Sequence, residues 1–351
     1  MPSLVGSEMC IRDRFLNNIG WKVYVIGAKF KGIRSEFSNS PNISIYLCRD
    51  PVQFIENTKQ YPEVQSREFK VSFLKLVRAI KRWFKRPLEI TKIGWIPFAF
   101  ICAVKLIKRE NIDIIIAYPY DSGILGVLLK KVTKKPLITD FPDPWITGTE
   151  HPNNKIYRYI LPIYTFIDRC LERFVLKNSD HVVFVTKTLA KDYLTAYPWL
   201  ERKYTVIYNG FNLDDFPHEQ FSLFSKFTIC YTGHFYGPQS PEQFFNALNH
   251  IFDKYPSFKK ELSVIFVGSK NEKVLDLINR YELKEVVSLV EYAPLRKSFE
   301  YMLRSHILLL ITPIKALTMK VFDYLATGKP ILAIIPEGEL AELIREYSDN
   351  S

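Results

Sequence analysis

Thr318-Met-Lys-Val-Phe-Asp-Tyr-Leu-Ala-Thr-Gly-Lys-Pro-Ile-Leu-Ala333 combines a polar turn, a short helix and a strand. The apolar run Ile307–Ile311 before it is typical of a parallel strand buried on both faces. Thr318 is placed to cap the helix, and Gly328 followed by Pro330 predicts its end. The helix residues expected to pack inward are Val321, Phe322, Leu325 and Ala326. This strand–helix–strand unit predicts an α/β fold.

The turn before this helix is a candidate binding site. Ligands of open α/β sheets bind beyond the carboxyl ends of the strands, where residues 312–318 are expected to lie. A helix N-terminus favours a phosphate, and Lys320 adds a full positive charge. Asp323, three residues later on the same helix face, could accept two sugar hydroxyls. A surface Lys–Asp pair on an ordinary crossover helix explains these residues equally well.

The run from Lys320 to Ala333 resembles the donor-site signature of retaining glycosyltransferases of the group 1 (GT4) kind. That family has the GT-B fold, two facing Rossmann-like domains. The resemblance implies that Asp323, where the family usually has Glu, holds the nucleotide ribose, and that the preceding turn contacts the diphosphate and the sugar. Lys315 is a departure, because the family often has a sugar-contacting Glu at this position.

The length and composition of the chain are consistent with two globular domains. The 351 residues, 47% apolar and 24% charged, can bury two ordinary cores. The net charge of +11 calls for an acidic partner, which is a nucleic acid, an anionic membrane or a phosphorylated substrate. The five cysteines are scattered without a CxxC, and the six histidines lack metal-ligand spacing, so a reducing cytosol and no metal are expected. No apolar run is long enough to span a bilayer.

The expected domains are residues 15–216 on the acceptor side and residues 217–351 on the nucleotide-sugar side. Met1–Arg14 has neither the strand and glycine-rich turn that should open such a fold nor the order of a signal peptide. We therefore expect this segment to be foreign. Because the family continues beyond the point that corresponds to Ser351, we expect a chain truncated at both ends.

Phe69–Arg86 alternates aromatic and cationic residues at helical spacing. A basic amphipathic helix can lie on an anionic bilayer, where each cation contributes roughly 1 kcal/mol. The alternative is a helix that packs its aromatic stripe on its own domain. The sequence leaves both interpretations open.

Asp140-Phe-Pro-Asp-Pro-Trp145 follows a predicted strand at residues 136–140, and its carboxylates and tryptophan suit a cleft wall. It resembles the Asp-Phe-Arg-Asp-Pro-Trp element of one branch of the same family, with Pro142 in place of arginine. The resemblance implies that Asp143 faces the donor sugar and the acceptor. A strand-ending Asp-Pro turn with a packed tryptophan also explains the hexapeptide.

The second domain is expected to open with strand Phe227–Thr232 and a loop that begins at Gly233. A glycine directly after a strand lets the backbone approach a phosphate. Many family members have Arg and Lys in this loop, where this chain has His234 and Gln239. We expect their charge to be replaced by one of three residues, Lys320, Lys315 or Arg296.

The resemblance thus implies a metal-free, cofactor-free enzyme that moves a sugar from a nucleotide-diphosphate sugar to a saccharide or lipid-linked acceptor in cell-surface polysaccharide biosynthesis. The expected reaction residues are Asp143 and Lys320. The expected donor-binding residues are Gly233, His234, Gly268, Tyr292, Thr318, Lys320 and Asp323. The expected location is cytoplasmic and peripheral on the inner face of the membrane, and no nucleic-acid module is present. Two alternatives remain, a nucleotide-sugar epimerase on the same scaffold and a non-catalytic membrane-associated module.

Overall fold

The computed structural model describes residue 16 and residues 19–28, 42–48, 95–147, 157–211, 216–217, 219–235, 238–268, 272–313 and 317–348. The chain divides into two compact units, Met1–Tyr208 and Asn209–Ser351. The sequence interpretation places the boundary a few residues later, after residue 216. The predictions for Met1–Arg14, for Phe69–Arg86 and for Lys315 fall outside the described residues.

The first unit is built on parallel strands. Strands β1 (Val23–Ala28) and β2 (Ile43–Cys48) pair in parallel. A separate four-stranded parallel sheet contains β3 (Ile115–Ala117), β4 (Leu137–Phe141), β5 (His181–Phe184) and β6 (Tyr204–Val206), in the order β3-β4-β5-β6. Strand β4 is central and buried along almost its whole length, as a run apolar on both faces requires.

Helices return the chain to the start of each strand of this sheet. They are α1 (Ile96–Arg109), α2 (Asp121–Thr133), α3 (Tyr157–Asn178) and α4 (Lys187–Ala196). Helix α4 begins where Thr186 Oγ1 accepts a hydrogen bond of 2.9 Å from the Leu189 amide, a side-chain N-cap. In α2, a Cβ at Gly126 would lie only 2.8 Å from the Leu137 side chain, so this glycine lets the helix approach β4 closely.

The second unit is a five-stranded parallel sheet. Its strands are β7 (Phe227–Thr232), β8 (Leu262–Val267), β9 (Val287–Val290), β10 (Ile307–Ile311) and β11 (Ile331–Ile334). Its helices are α5 (Glu242–Lys254), α6 (Phe258–Glu261), α7 (Glu272–Arg280), α8 (Leu295–Arg304), α9 (Met319–Thr327) and α10 (Glu339–Ser348). Strands β7 and β10 have the bounds that their sequence patterns predict.

The strand order of this sheet is β11-β10-β7-β8-β9. The chain moves outward from β7 through β8 to β9, and then returns to the other side of β7 with β10 and β11. The order therefore reverses between β7 and β10. In open α/β sheets a ligand crevice forms at the carboxyl ends of the two strands that flank such a switch point.

Helix α9 follows β10 and has the predicted extent, but two details of the prediction are wrong. Thr318 occupies the N-cap position with an extended backbone, φ −97° and ψ 144°, yet its side chain makes no capping hydrogen bond. The buried residues are Val321, Phe322 and Tyr324, whereas Leu325 and Ala326 are only partly buried. The end is as predicted, because Gly328 adopts the left-handed conformation with φ +65°.

Candidate functional site

The site in the second unit forms where the end of β7 meets the first turn of α9. Gly233 follows β7 with φ +106°, a conformation that favours glycine. A Cβ atom at this position would lie 2.6 Å from Cε and 2.9 Å from Nζ of Lys320. Backbone conformation and space therefore both require glycine here, and the lysine ammonium lies directly at the switch point of the sheet.

Lys320 is held by an aromatic residue. Its Nζ donates a hydrogen bond of 2.6 Å to the Tyr231 hydroxyl and lies 4.1 Å from the centroid of the same ring. Within the described residues no carboxylate forms an ion pair with it, and burial lowers the pKa of Lys320 from 10.5 to about 7. An ordinary surface Lys–Asp pair, the alternative left open by the sequence, does not have this arrangement.

Tyr231 and Tyr324 fix the helix against the end of β7. The Tyr231 hydroxyl also donates to the His234 carbonyl at 3.2 Å, and its ring stacks on Phe235 at 4.2 Å. The Tyr324 hydroxyl accepts from the Thr232 amide at 2.9 Å and donates to the Leu309 carbonyl at 3.2 Å. Both tyrosines are fully buried, so Lys320 sits on a rigid base rather than on a mobile loop.

The first turn of α9 adds polar groups to the same place. Thr318 Oγ1 is buried and has no hydrogen-bond partner among the described residues. The first amides of a helix lack intrahelical partners, and the helix dipole favours an anion beside them. Together with the Lys320 ammonium, these groups define a site that suits a phosphate or diphosphate group.

The structure brings some of the predicted donor-binding residues together and leaves others apart. Gly268, after β8, adopts φ +85°, and a Cβ there would lie 3.6 Å from the Gly233 backbone. Asp323 lies one turn after Lys320 on α9 and is half-buried. His234 is exposed in the loop, while Tyr292, beyond β9, has 78% of its surface exposed.

The structure shows how the glycine loops and Arg296 are bonded. The amides of Gly233 and Gly268 donate to the carbonyls of Val267 and Val290 at 2.8 and 2.9 Å, so they extend the sheet rather than point at a ligand. Arg296 forms an exposed ion pair with Glu219 at 2.6 Å. Lys320 is therefore the described cation that the geometry places at the switch point.

A cavity of about 600 Å³ lies in the same unit, beyond the carboxyl ends of β10 and β11. Its walls include Ile311–Pro313, Ile334–Pro336 and the first turns of α5. This volume lies in the range of small-molecule sites. Thr312 and Pro313, which follow β10, line this cavity, and the prediction that this segment borders a ligand site stays a prediction.

The first unit carries the other predicted reaction residue. Asp143 follows β4, and its side chain is exposed at one face while partial burial raises the pKa of its carboxyl. Asp140 is instead buried, with 3% of its surface exposed, inside β4. Of the two carboxylates Asp143 is therefore the more accessible to a ligand, and its role in the reaction stays a prediction.

Tyr120 packs against the segment that carries Asp143. Its backbone adopts φ +67° and ψ −133°, which is strained for a bulky residue. The ring lies 5.1 Å from that of Trp145, and the hydroxyl donates to the Pro144 carbonyl at 3.0 Å. These contacts offset the strain and fix the segment from one side.

Sequence reasoning missed three side chains that shape these sites, namely Tyr231, Tyr324 and the buried Glu172 on α3. Tyr324 stands one helical turn after Lys320, so its inward position could have been found from helical spacing. Tyr231 lies 89 positions from Lys320, and only the strand order brings the two together. A glutamate at a fully buried helix position carries no local signal of its partners.

Structural comparison shows which known proteins have a similar fold. Sucrose-phosphate synthase from Thermosynechococcus elongatus is similar with a TM-score of 0.59 and 14% identity, over 93% of this chain and 75% of that chain. A glycosyltransferase from Rickettsia africae ESF-5 gives a TM-score of 0.54 and 14% identity, over 93% of this chain and 88% of that chain. The predicted fold class is confirmed: α/β of the GT-B type, with Rossmann-like domains.

A sequence-family comparison adds a relationship in the first half of the chain. The family described as Glycosyltransferase Family 4 matches residues 52–215, just under half of the chain. The match includes the Asp140–Trp145 segment but not helix α9, so it is independent of the motif that begins at Lys320. The comparison with curated proteins gives no match. The family match and the fold together support a GT4-like glycosyltransferase.

Proposed function

We propose that this protein is a retaining glycosyltransferase that binds a nucleotide-diphosphate sugar through its second unit and a saccharide or lipid-linked acceptor through its first. The observation that carries the proposal is Lys320, a largely buried cation that forms no ion pair with a carboxylate among the described residues. It lies beside Gly233 at the switch point of the sheet, at the N-terminus of α9. A diphosphate is the ligand that best matches this charge and position.

The proposed chemistry uses charge stabilisation rather than a metal. As the bond from the sugar to the diphosphate breaks, negative charge grows on the leaving oxygens. Protonated Lys320 and the first amides of α9 stabilise that charge without reorganisation. The acceptor attacks the same face of the sugar, which gives retention of configuration.

Asp143 and Asp323 have separate proposed roles. In this proposal Asp143 would face the sugar and the acceptor hydroxyl, whereas Asp323 would accept hydrogen bonds from the ribose. Asp323→Ala should weaken donor binding, Asp143→Asn should lower turnover without weakening donor binding, and Lys320→Ala should reduce both. Unchanged kinetics in any one variant would remove that residue from the scheme.

Product analysis separates this proposal from its alternatives. Purified protein is incubated with labelled UDP-glucose, UDP-N-acetylglucosamine or GDP-mannose and a bacterial lipid extract or oligosaccharides. Transfer with a retained anomeric configuration, read by NMR, is the expected result. A sugar epimerised on its nucleotide would instead indicate the epimerase, which is less favoured because the matching family is one of glycosyltransferases. Nucleotide binding without any product would indicate a non-catalytic module.

A peripheral membrane location is part of the proposal. Helices α1, α2 and α3 all end at the amino edge of the four-stranded sheet, and their last turns carry many cations. The cations in these last turns are Lys108, Arg109, Lys130, Lys131 and Lys177, and Lys134 and Lys135 follow directly after α2. Exposed apolar side chains lie on the same helices, with Ile101 57% and Val132 57% exposed. A surface that mixes cations and apolar groups suits an anionic bilayer.

Vesicle sedimentation tests the membrane proposal. The protein should sediment with phosphatidylglycerol vesicles at low salt and remain free with phosphatidylcholine vesicles. Equal behaviour with both lipids would contradict it. No helix within the described ranges combines the length and apolarity needed to cross a bilayer. A cytoplasmic, reducing location is likewise proposed from the cysteines, since Cys48, Cys102, Cys170 and Cys230 are free thiols.

A further inference from the structure

Glu172, on helix α3, is a carboxylate with no exposed surface. Oε1 accepts hydrogen bonds from the hydroxyls of Thr147 at 2.6 Å and Tyr197 at 2.9 Å. Oε2 accepts from the amides of Ile146 at 2.9 Å and Thr147 at 3.2 Å, and from the Tyr193 hydroxyl at 2.7 Å. Both oxygens of the Glu172 carboxylate therefore accept hydrogen bonds from neutral donors. Within the described residues, no cation forms an ion pair with this carboxylate.

Burying a charge without a cation is costly unless hydrogen bonds compensate. An apolar side chain at the same position of α3 would avoid that cost if packing were the only requirement. The negative charge of Glu172 also affects the neighbouring tyrosine hydroxyls. Burial is the larger cause and the Glu172 charge the second: together they raise the pKa of Tyr193 and raise the pKa of Tyr197 to about 12. Glu172 is therefore an energetically costly residue, and most of its hydrogen bonds, direct or through Tyr193, hold the short segment of residues 145–147.

That segment is the one that carries Asp143. The Trp145 amide donates to the Tyr193 hydroxyl at 3.0 Å, and the next two amides, those of Ile146 and Thr147, donate to Glu172. The Pro144 carbonyl is held from the other side by Tyr120. Backbone groups of four successive residues, beginning directly after Asp143, are therefore fixed by buried partners.

We propose that Glu172 is a positioning residue for the transfer reaction, which fixes the backbone of residues 145–147, directly and through Tyr193, and thereby sets the orientation of the Asp143 carboxylate. This inference rests on the proposed function. It adds a residue that acts through the loop without touching either substrate. The donor site lies in the second unit, so Glu172 should influence turnover and leave nucleotide binding unaltered.

Glu172→Gln tests the proposal because it keeps the shape and removes the charge. The new side chain can accept at only one of the two oxygen positions. If its nitrogen takes the Oε2 position, the Ile146 and Thr147 amides lose their acceptor; if it takes the Oε1 position, the Thr147 and Tyr197 hydroxyls must turn to accept, and the remaining neutral oxygen holds the two amides more weakly than the carboxylate does. Hydrogen–deuterium exchange of the Ile146 and Thr147 amides should become about tenfold faster or more. Turnover of the panel donor that the wild type uses should fall about 10- to 100-fold, since small misplacements of a reacting group have effects of this size. The donor KM and the affinity for UDP or GDP should stay within about twofold, because no binding contact changes.

Tyr197→Phe is the matched control. It removes one hydrogen bond to Oε1 but no contact with the backbone of residues 145–147. Its melting temperature should fall, while exchange of the Ile146 and Thr147 amides and turnover stay near wild type. All kinetics are measured well below the unfolding transition of each variant, so loss of folded protein does not enter the comparison.

Each outcome has a defined consequence. Slower turnover and faster amide exchange in Glu172→Gln alone support the proposal. Normal turnover in Glu172→Gln, despite lower stability, overturns it and leaves a purely structural role, as does unchanged amide exchange. An equal loss of turnover in Tyr197→Phe also overturns it. If the wild type turns over no donor of the panel, the proposed function fails, and the role of Glu172 in the reaction falls with it.

Discussion

Replacing Lys320 by methionine should make the empty protein more stable at low pH and abolish nucleotide binding. The Lys320 ammonium is buried without a carboxylate partner among the described residues, and burial lowers its pKa from 10.5 to about 7. Between these two pH values the unfolded chain binds a proton that the folded chain does not, so wild-type stability rises with pH across this window. Below about pH 7 both states are protonated, and the cost of the buried charge is fully present.

The size of the effect follows from the pKa. One pKa unit corresponds to about 1.4 kcal/mol, so the lowering implies a cost on the order of 3–5 kcal/mol for the charged form. Methionine fills similar space without the charge, and the Tyr231 hydroxyl keeps its bond to the His234 carbonyl. We expect Lys320→Met to gain on the order of 2–4 kcal/mol at pH 6, with the gain shrinking to near zero by pH 10.

Urea unfolding at pH 6, 8 and 10 measures this difference, with Lys329→Met as the control. Lys329 follows the C-terminal end of the same helix, so its replacement removes an equal charge away from the site. A Lys320→Met variant that is less stable than wild type at pH 6, or whose gain does not change with pH, would refute the reasoning. So would a variant that still binds nucleotide with wild-type affinity.

Three further substitutions test the framework of the donor site. Gly233→Ala should cost about 1–3 kcal/mol from backbone strain and displace Lys320, so thermal unfolding and nucleotide affinity should both decrease; wild-type affinity would contradict the close approach. Tyr231→Phe keeps the ring under Lys320 but removes its hydrogen bond, so we expect a loss of about 1–3 kcal/mol in urea unfolding together with weaker nucleotide binding. Tyr324→Phe leaves the Thr232 amide without its partner and should cost a similar amount, about 1–3 kcal/mol, with little change in calorimetric affinity; a large loss of affinity would show that Tyr324 does more than hold the helix.

Much of the fold could be predicted from local patterns. The runs that form β7 and β10 are short, apolar and bounded by turn residues, and their bounds agree with the structure. The end of α9 was predictable because Gly328 and Pro330 act through their own backbone chemistry. In each case the signal is contained within a few successive residues.

The parts that could not be predicted depend on contacts between distant residues. Lys320 could be assigned to a helix N-terminus, but its contact with Tyr231 depends on the order of the strands. Glu172 receives donors 21 to 26 positions away, which helical periodicity does not reveal.

Calorimetric titration with UDP, GDP and their common sugar conjugates tests the central claim most directly. Wild-type protein should bind one nucleotide class, Lys320→Ala should lose that binding, and Lys329→Ala, which carries the same change in charge, should retain it. Absence of binding to every nucleotide, or equal binding by Lys320→Ala and the wild type, would contradict a diphosphate site at the N-terminus of helix α9.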